Sequence, residues 1–197
     1  VLINLKIHFI IGFVFIFYAS NSYAQKQNNL WYFGYKIGID FNSGKPLISA
    51  NGKTHVYEAT ACISDSTGHL LFYSSGDTVW NANHQIMDNG IGLGGGISST
   101  QMAIVPNPDS SKIYYLVYMN YLNYNLMYAV IDMSKNAGLG RVRNKQNFLY
   151  SPVTEKIVSC MKSDQHNYWV VTHEYGTNNF LNYSVDKNGI NPIPIIS

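Results

Sequence analysis

Charge is what this sequence has least of. Its 197 residues include 13 Lys and Arg and 11 Asp and Glu, a charged share of 12% against roughly 25% in an average globular domain. No basic run or cluster occurs, which removes the electrostatic footprint that nucleic-acid binding needs. The formal charge of +2 drops to +1 once Lys6 is set aside with the N-terminal segment. Helical periodicity is also missing: no stretch sustains apolar residues at i, i+3, i+4 and i+7, so little helix is expected. Cysteine is limited to Cys62 and Cys160, which allow at most one disulfide. What fills the space is 46% apolar content with 16 Tyr, 16 Gly and abundant Asn and Ser. β-formers interleaved with turn residues are typical of all-β extracellular modules and not of disordered chains.

The N-terminus holds the longest apolar run. Lys6 supplies a short positive region, His8 to Tyr18 is almost wholly apolar, and Ser22-Tyr23-Ala24 places small residues at signal-peptidase spacing. An uninterrupted apolar stretch of about ten residues falls short of the roughly 18 required to span a bilayer. Residues 1–24 are therefore read as a signal peptide, with cleavage after Ala24, and 25–197 as one domain. No Cys follows the small residues to accept a lipid.

Ala59 to Asn81 is one meander written compactly. Ala61-Cys62-Ile63 is an apolar run, Asp65 to Gly68 supplies turn chemistry, Leu70 to Tyr73 is a second run, and Gly76-Asp77 turns before Val79-Trp80. Before it, Leu30 to Phe33, Gly38 to Phe41 and Lys45 to Leu47 read as strands or edges, and Asn51-Gly52 as a turn. After it, a second unit runs from Met102-Ala103-Ile104-Val105 through a turn at Pro106 to Ser111, whose prolines disfavour a central strand. Ile113 to Tyr118 and an outer strand, Leu126 to Ile131, complete it. A third unit comprises Glu155 to Met161, Tyr168 to Thr172 and Phe180 to Val185.

Ile63, Val105 and Met161 fall at the same point before their turns, 42 and then 56 residues apart. A loosely kept period near 40–50 with about four strands per unit is the signature of a β-propeller. The expected fold is therefore all-β: a partial propeller of about three to four antiparallel four-stranded blades, WD/YVTN-repeat-like. The chain stops after Pro192 and Pro194 where another strand would open, so part of a longer protein is expected. An incomplete blade set would expose sheet edges and the apolar faces between blades.

No cluster converges on a chemistry. Cys62 and Cys160 occupy equivalent points of different units, too far apart for a bridge whose Cα separation must stay under about 7 Å; buried free thiols are expected, with a disulfide as the alternative. Gly90 to Gly96 lacks the helix context and Gly-Lys-Ser/Thr ending of a phosphate loop and reads as a flexible connection. Ser98-Ser99 lacks the last glycine of a nucleophile elbow. His55, His69, His84, His166 and His173 show no metal-ligand spacing, and His69 and His166 sit at corresponding turn tips. His173-Glu174 is the one ionisable pair at a strand end beside a Gly/Asn loop. Asp65, Asp109 and Asp164 recur at turns, where Asp caps backbone N–H groups. Asp77 lies in Ser75-Gly76-Asp77-Thr78-Val79-Trp80, where Val79 replaces the glycine of a sialidase-type Asp box. Tyr114, Tyr115, Tyr118, Tyr121, Tyr124 and Tyr128 suit strands and also suit sugar stacking. No catalytic, metal-binding or cofactor-binding residue is assigned, and no cofactor is expected.

Several stretches carry a resemblance: Asn29-Leu30-Trp31-Tyr32-Phe33-Gly34, Ile63-Ser64-Asp65 with Gly68 to Tyr73, Val79-Trp80-Asn81 with His84 to Met87, Ser98 to Gln101, and Tyr168 to His173. In these the chain resembles the N-terminal propeller-like region of large exported proteins of gliding bacteria. Those proteins often carry PKD-type modules and a gliding-motility-associated sorting domain for type IX secretion. The resemblance implies a non-enzymatic secreted or surface protein in adhesion or assembly, with a protein or glycan ligand, and brings no catalytic residues. This chain lacks the PKD and sorting modules, so it is expected outside the cell or at its surface when full length, and in the periplasm as it stands. The competing expectation is a propeller hydrolase for glycans or lactones using His173, Glu174 or His84. Convergent carboxylates at the ring mouth would favour the hydrolase; a mouth of Ser, Asn and aromatics would favour binding.

Overall fold

The structure, a computed structural model, describes residues 26–96 and 101–197. The signal-peptide segment 1–24 with its cleavage point after Ala24, and the Ser98-Ser99 pair, lie outside the described residues. Among the described residues, helix is confined to one 3-10 turn at Asn136–Gly138.

Four antiparallel sheets follow one another along the chain, and none closes on itself. The first comprises β1 (Leu30–Phe33), β2 (Ile37–Asp40) and β3 (Leu47–Ser49), and the second β4 (Ala61–Ser64), β5 (Leu70–Ser74) and β6 (Val79–Asn81). The third comprises β7 (Met102–Asn107), β8 (Ser110–Asn120), β9 (Asn125–Asp132) and β10 (Arg141–Tyr150). The fourth comprises β11 (Val153–Met161), β12 (Tyr168–Glu174), β13 (Phe180–Asp186), β14 (Gly189–Ile190) and β15 (Ile195–Ile196), with β14 and β15 both pairing with β13. Each strand pairs with the next in sequence within its sheet, β15 apart, as short turns dictate.

Strand β8 explains the stacking. Residues of a strand point alternately to opposite faces, and in β8 both sets are apolar. Tyr114, Leu116 and Tyr118 enter a core shared with Ile63, Phe72 and Val79 of the second sheet. Tyr115, Val117 and Met119 enter a second core with Ile157, Val170, Leu181 and Tyr183 of the fourth. The third sheet is thus sandwiched, which is why Ile113 to Met119 reads as an unbroken apolar run. The first sheet joins the second through Tyr32, stacked on Tyr73 at 4.6 Å between ring centroids.

The first strands of consecutive sheets are neighbours: β1 lies beside β4, β4 beside β7, and β7 beside β11. Backbone bonds tie this seam, Ser64 N–H to Gln27 O at 2.8 Å and Gln101 N–H to Glu155 O at 3.0 Å. The two end sheets keep an open face. Trp31, Phe33, Ile37 and Ile48 are exposed on the first, and Val158, Phe180 and Ile195 on the fourth, as expected for sheets without an outer neighbour.

Several expectations need correction. The sheets hold three, three, four and five strands, not a uniform four. Strand β9 is not the outer strand of its sheet: β10 pairs outside it. Its sequence hides it, because Arg141, Arg143 and Lys145 interrupt any apolar alternation and its register shifts at several points; charge and bulges are how edges resist unwanted pairing. Pro106 belongs to β7, opposite Tyr114. The missing N–H costs nothing there, since β7 pairs on one side only. Asn51-Gly52 does not join a hairpin; the Asn51 carboxamide oxygen accepts from the Tyr32 hydroxyl at 3.1 Å instead.

A cleft across the turn ends as candidate ligand site

Three turns converge at one end of the stack: 65–69 between β4 and β5, 107–110 between β7 and β8, and 162–167 between β11 and β12. Between them opens a cleft of about 480 Å3, whose lining includes Ile63, Ser64, Leu71, Pro106, Met161 and Tyr168. Gln27, Ile63, Pro106, Met161 and Tyr168 also line an adjoining hollow of about 260 Å3, together with Ile104, Ser159 and Cys160. The cleft and this hollow are therefore adjacent.

The turns build this end from their own side chains. Asp65 accepts from the Thr67 N–H at 2.8 Å, the Thr67 hydroxyl at 2.6 Å and the His69 N–H at 3.0 Å. Asp164 accepts from the His166 and Asn167 N–H groups, both at 2.9 Å, and from the Asn167 carboxamide at 2.8 Å. These bonds favour the charged forms and hold both carboxyls below the usual range, Asp164 at about 2. The middle turn differs. Here Asn107 provides the cap, accepting from the Asp109 N–H at 3.0 Å, and this frees Asp109 to meet His166 of the neighbouring turn at 2.8 Å. A second link of this kind joins the first two sheets, the Asn42 carboxamide donating to Gly68 O at 2.9 Å.

Apart from Lys112, the remaining polar groups at the cleft are neutral. The Ser64 hydroxyl, in a residue only 1% exposed, has no hydrogen-bond partner. Among the described residues no hydrogen bond engages the Ser66 or Ser111 hydroxyls, the Gln165 amide or the Tyr168 hydroxyl, and all four residues line the cleft. Tyr168 is half-buried, and that burial pushes its phenol up. Lys112 is the cation without a carboxylate partner here, and it sits exposed on the rim.

The residues singled out from sequence do not assemble elsewhere. His173 packs edge-on against Phe180 at 5.0 Å. Glu174, its neighbour, accepts from the Tyr150 hydroxyl, from the Asn179 carboxamide at 2.7 Å and from the Thr177 hydroxyl at 3.2 Å; these bonds lower its pKa and dedicate it to closing the loop between β12 and β13. His84 lies by the second sheet, its Nδ1 3.1 Å from the Tyr73 hydroxyl, with burial lowering its pKa. His55 packs edge-on against Tyr35 at 4.4 Å. Asp77 accepts from the Gly94 N–H at 3.1 Å, so the Asp-box position anchors the glycine-rich loop. That loop is not a loose connection over its described part: Leu93 is fully buried and Gly95 bonds to Gly76 O at 3.1 Å. Among the described residues no three His, Cys, Asp or Glu side chains are grouped to hold a metal ion.

Both cysteines are free. Both lie in the first strand of their sheet, Cys62 opposite Tyr73 and Cys160 opposite Trp169, but they are not equivalent: Cys62 and Tyr73 face the preceding sheet through Tyr32, whereas Cys160 shares the outer face of the fourth sheet with Val158, a one-residue slip that turns the side chain over. Their burial departs from expectation: Cys160 is exposed, while Cys62 is partly covered and desolvation pushes its thiol up to about 12. Of the six tyrosines, Tyr114, Tyr115 and Tyr118 are buried and Tyr128 is half-buried in β9, whereas Tyr121 and Tyr124 stand exposed in the turn after β8. Tyr168 and Gln165 were not legible as site residues; the sequence signals for this end were the recurrence of Asp65, Asp109 and Asp164 and the corresponding turn-tip positions of His69 and His166.

No protein-family model, curated protein or solved structure matches the chain.

Proposed function

We propose that this chain is a non-enzymatic binding or scaffold module of a larger exported protein, built as an arc of a β-propeller. The observation that carries the reading is the turn-end cleft, whose lining of Ser, Asn, Gln and Tyr offers neutral hydrogen-bonding groups and no converging carboxylates. A hydrolase needs an acid or base free to exchange a proton with substrate. Here Asp65 and Asp164 cap their own turns, Asp109 is paired with His166, and Glu174 is bonded into its loop.

The propeller reading draws on the neighbouring first strands and on the regular stacking of second, third and fourth sheets. The exposed apolar face of the fourth sheet, with Val158, Phe180 and Ile195, suits a further sheet laid on it as the fourth lies on the third. Export rests on the signal-peptide pattern of residues 1–24, and a surface role in adhesion or gliding-associated assembly rests on the resemblance to exported proteins of gliding bacteria.

Two measurements test this. Expressed with residues 1–24 in a diderm bacterium, the protein is expected outside the cytoplasm with Gln25 as its first residue by mass spectrometry. Incubated with a panel of glycans, lactones and esters, it is expected to release no product; turnover abolished by His173→Ala would establish the hydrolase instead.

A further inference from the structure

We infer that the turn-end cleft binds a neutral saccharide, an inference that rests on the binding reading above. The argument starts from which polar groups are already spent. Asp65, Asp109, Asp164 and His166 already hydrogen-bond within the protein, and Lys112, exposed on the rim, is a cation of this lining. What stays unspent at the cleft surface is neutral: the hydroxyls of Ser66, Ser111 and Tyr168 and the amide of Gln165. Hydroxyls and carboxamides both donate and accept, and a polyol, each of whose hydroxyls also does both, is the ligand that can satisfy them together.

The walls supply the other half of saccharide recognition. Ile63, Leu71, Met161 and the half-buried Tyr168 ring offer apolar surface beside these groups, matching the C–H faces of a pyranose, and Tyr combines an apolar face with a polar tip. A volume of about 480 Å3 lies within the range of roughly 300–1,000 Å3 usual for small-ligand sites. The adjoining hollow of about 260 Å3 gives a chain of more than one sugar somewhere to continue. An extended peptide fits less well. It docks by pairing with a free strand edge, whereas backbone groups of these turns bond among themselves, Asp65 N–H to His69 O, Gly68 N–H to Asp65 O, Lys162 N–H to Asn167 O and Gln165 N–H to Lys162 O.

The experiment titrates the purified protein by calorimetry and ligand-observed NMR. The probes are neutral glucan, mannan and xylan oligosaccharides, alongside uronate and sulfated oligosaccharides and a pool of unstructured peptides. At least one neutral oligosaccharide is expected to bind. Gln165→Ala should weaken it about tenfold, the worth of roughly one lost hydrogen bond, and Tyr168→Ala at least as much. Gln165 is exposed and left-handed, with φ +56°, so Gln165→Asn, which tolerates that backbone and shortens the amide, serves as the variant least able to disturb folding. Binding by charged oligosaccharides alone, neutral-sugar binding indifferent to both positions, or no sugar binding by folded protein overturns the inference. Peptide binding without sugar binding also overturns it while leaving the binding module intact; hydrolysis of a bound sugar removes the non-enzymatic reading itself.

Discussion

Leu116 and Val117 are adjacent in β8, both fully buried, and face opposite cores. Truncating each to Ala therefore probes two separate sheet interfaces from one point of the chain. Leu→Ala removes about three methylene equivalents, worth about 2.4 kcal/mol in transfer at roughly 0.8 kcal/mol each, and a residual cavity brings the loss to about 3 kcal/mol. Val→Ala removes about two equivalents and should cost about 2 kcal/mol. For a domain of this size, 1 kcal/mol corresponds to roughly 2–4 °C in Tm. Leu116→Ala should thus melt about 6–12 °C lower and Val117→Ala about 4–8 °C lower, by circular dichroism and by urea titration with an unchanged m-value. Leu122→Ala in the turn after β8, at a residue 74% exposed, is the control and should stay within about 0.5 kcal/mol of the parent. If either Leu116→Ala or Val117→Ala behaved like the control, one face of the third sheet would be solvent-facing and the sandwich would be wrong.

Three further outcomes follow from the same geometry. With a thiol reagent such as DTNB at neutral pH, Cys160 should react promptly and Cys62 only on unfolding, because desolvation pushes the Cys62 thiol up to about 12 and the thiolate is the reactive form; a protein with no titratable thiol would mean a disulfide after all. Asp164 has a folded pKa of about 2 against about 3.9 for an unperturbed Asp, so its contribution to stability is present above about pH 4 and is lost as pH falls through about 2; the Tm gap between parent and Asp164→Ala should close over that window, and a gap that persists at pH 2 would deny the charge a role. Gly95→Ala would bring a Cβ within 2.4 Å of Gly76 O, a backbone atom that cannot swing aside, so it should destabilise by more than 1 kcal/mol, whereas Gly52→Ala, whose nearest obstacle is the Tyr32 ring at 2.9 Å, should cost less in thermal melts.

The meander around Ala59 to Asn81 was legible because its strands are short apolar runs set between residues with strong turn chemistry, and the same logic located most of β7, β8, β11, β12 and β13. Local patterning determines such elements, since alternation and Gly, Asn, Asp and Pro placement act over a few residues. It could not reveal β10, a charged and bulged edge whose partner β9 alone makes it a strand, nor show that Pro106 sits harmlessly on the unpaired side of β7. The repeat of Ile63, Val105 and Met161 placed Cys62 and Cys160 in the first strands of their sheets but one residue out of step, so that Cys62 faces the preceding sheet and Cys160 the open face of the fourth. Asp65, Asp109 and Asp164 looked alike in sequence; the fold separates them, capping two turns with their own Asp and sending Asp109 across to His166 because Asn107 has taken its place. By itself, then, the sequence determined an all-β chain of turn-punctuated strands. Only the tertiary structure decided which polar groups around the cleft are spent and which stay unpaired, because a hydrogen bond between residues 57 positions apart is a property of stacking and not of spacing.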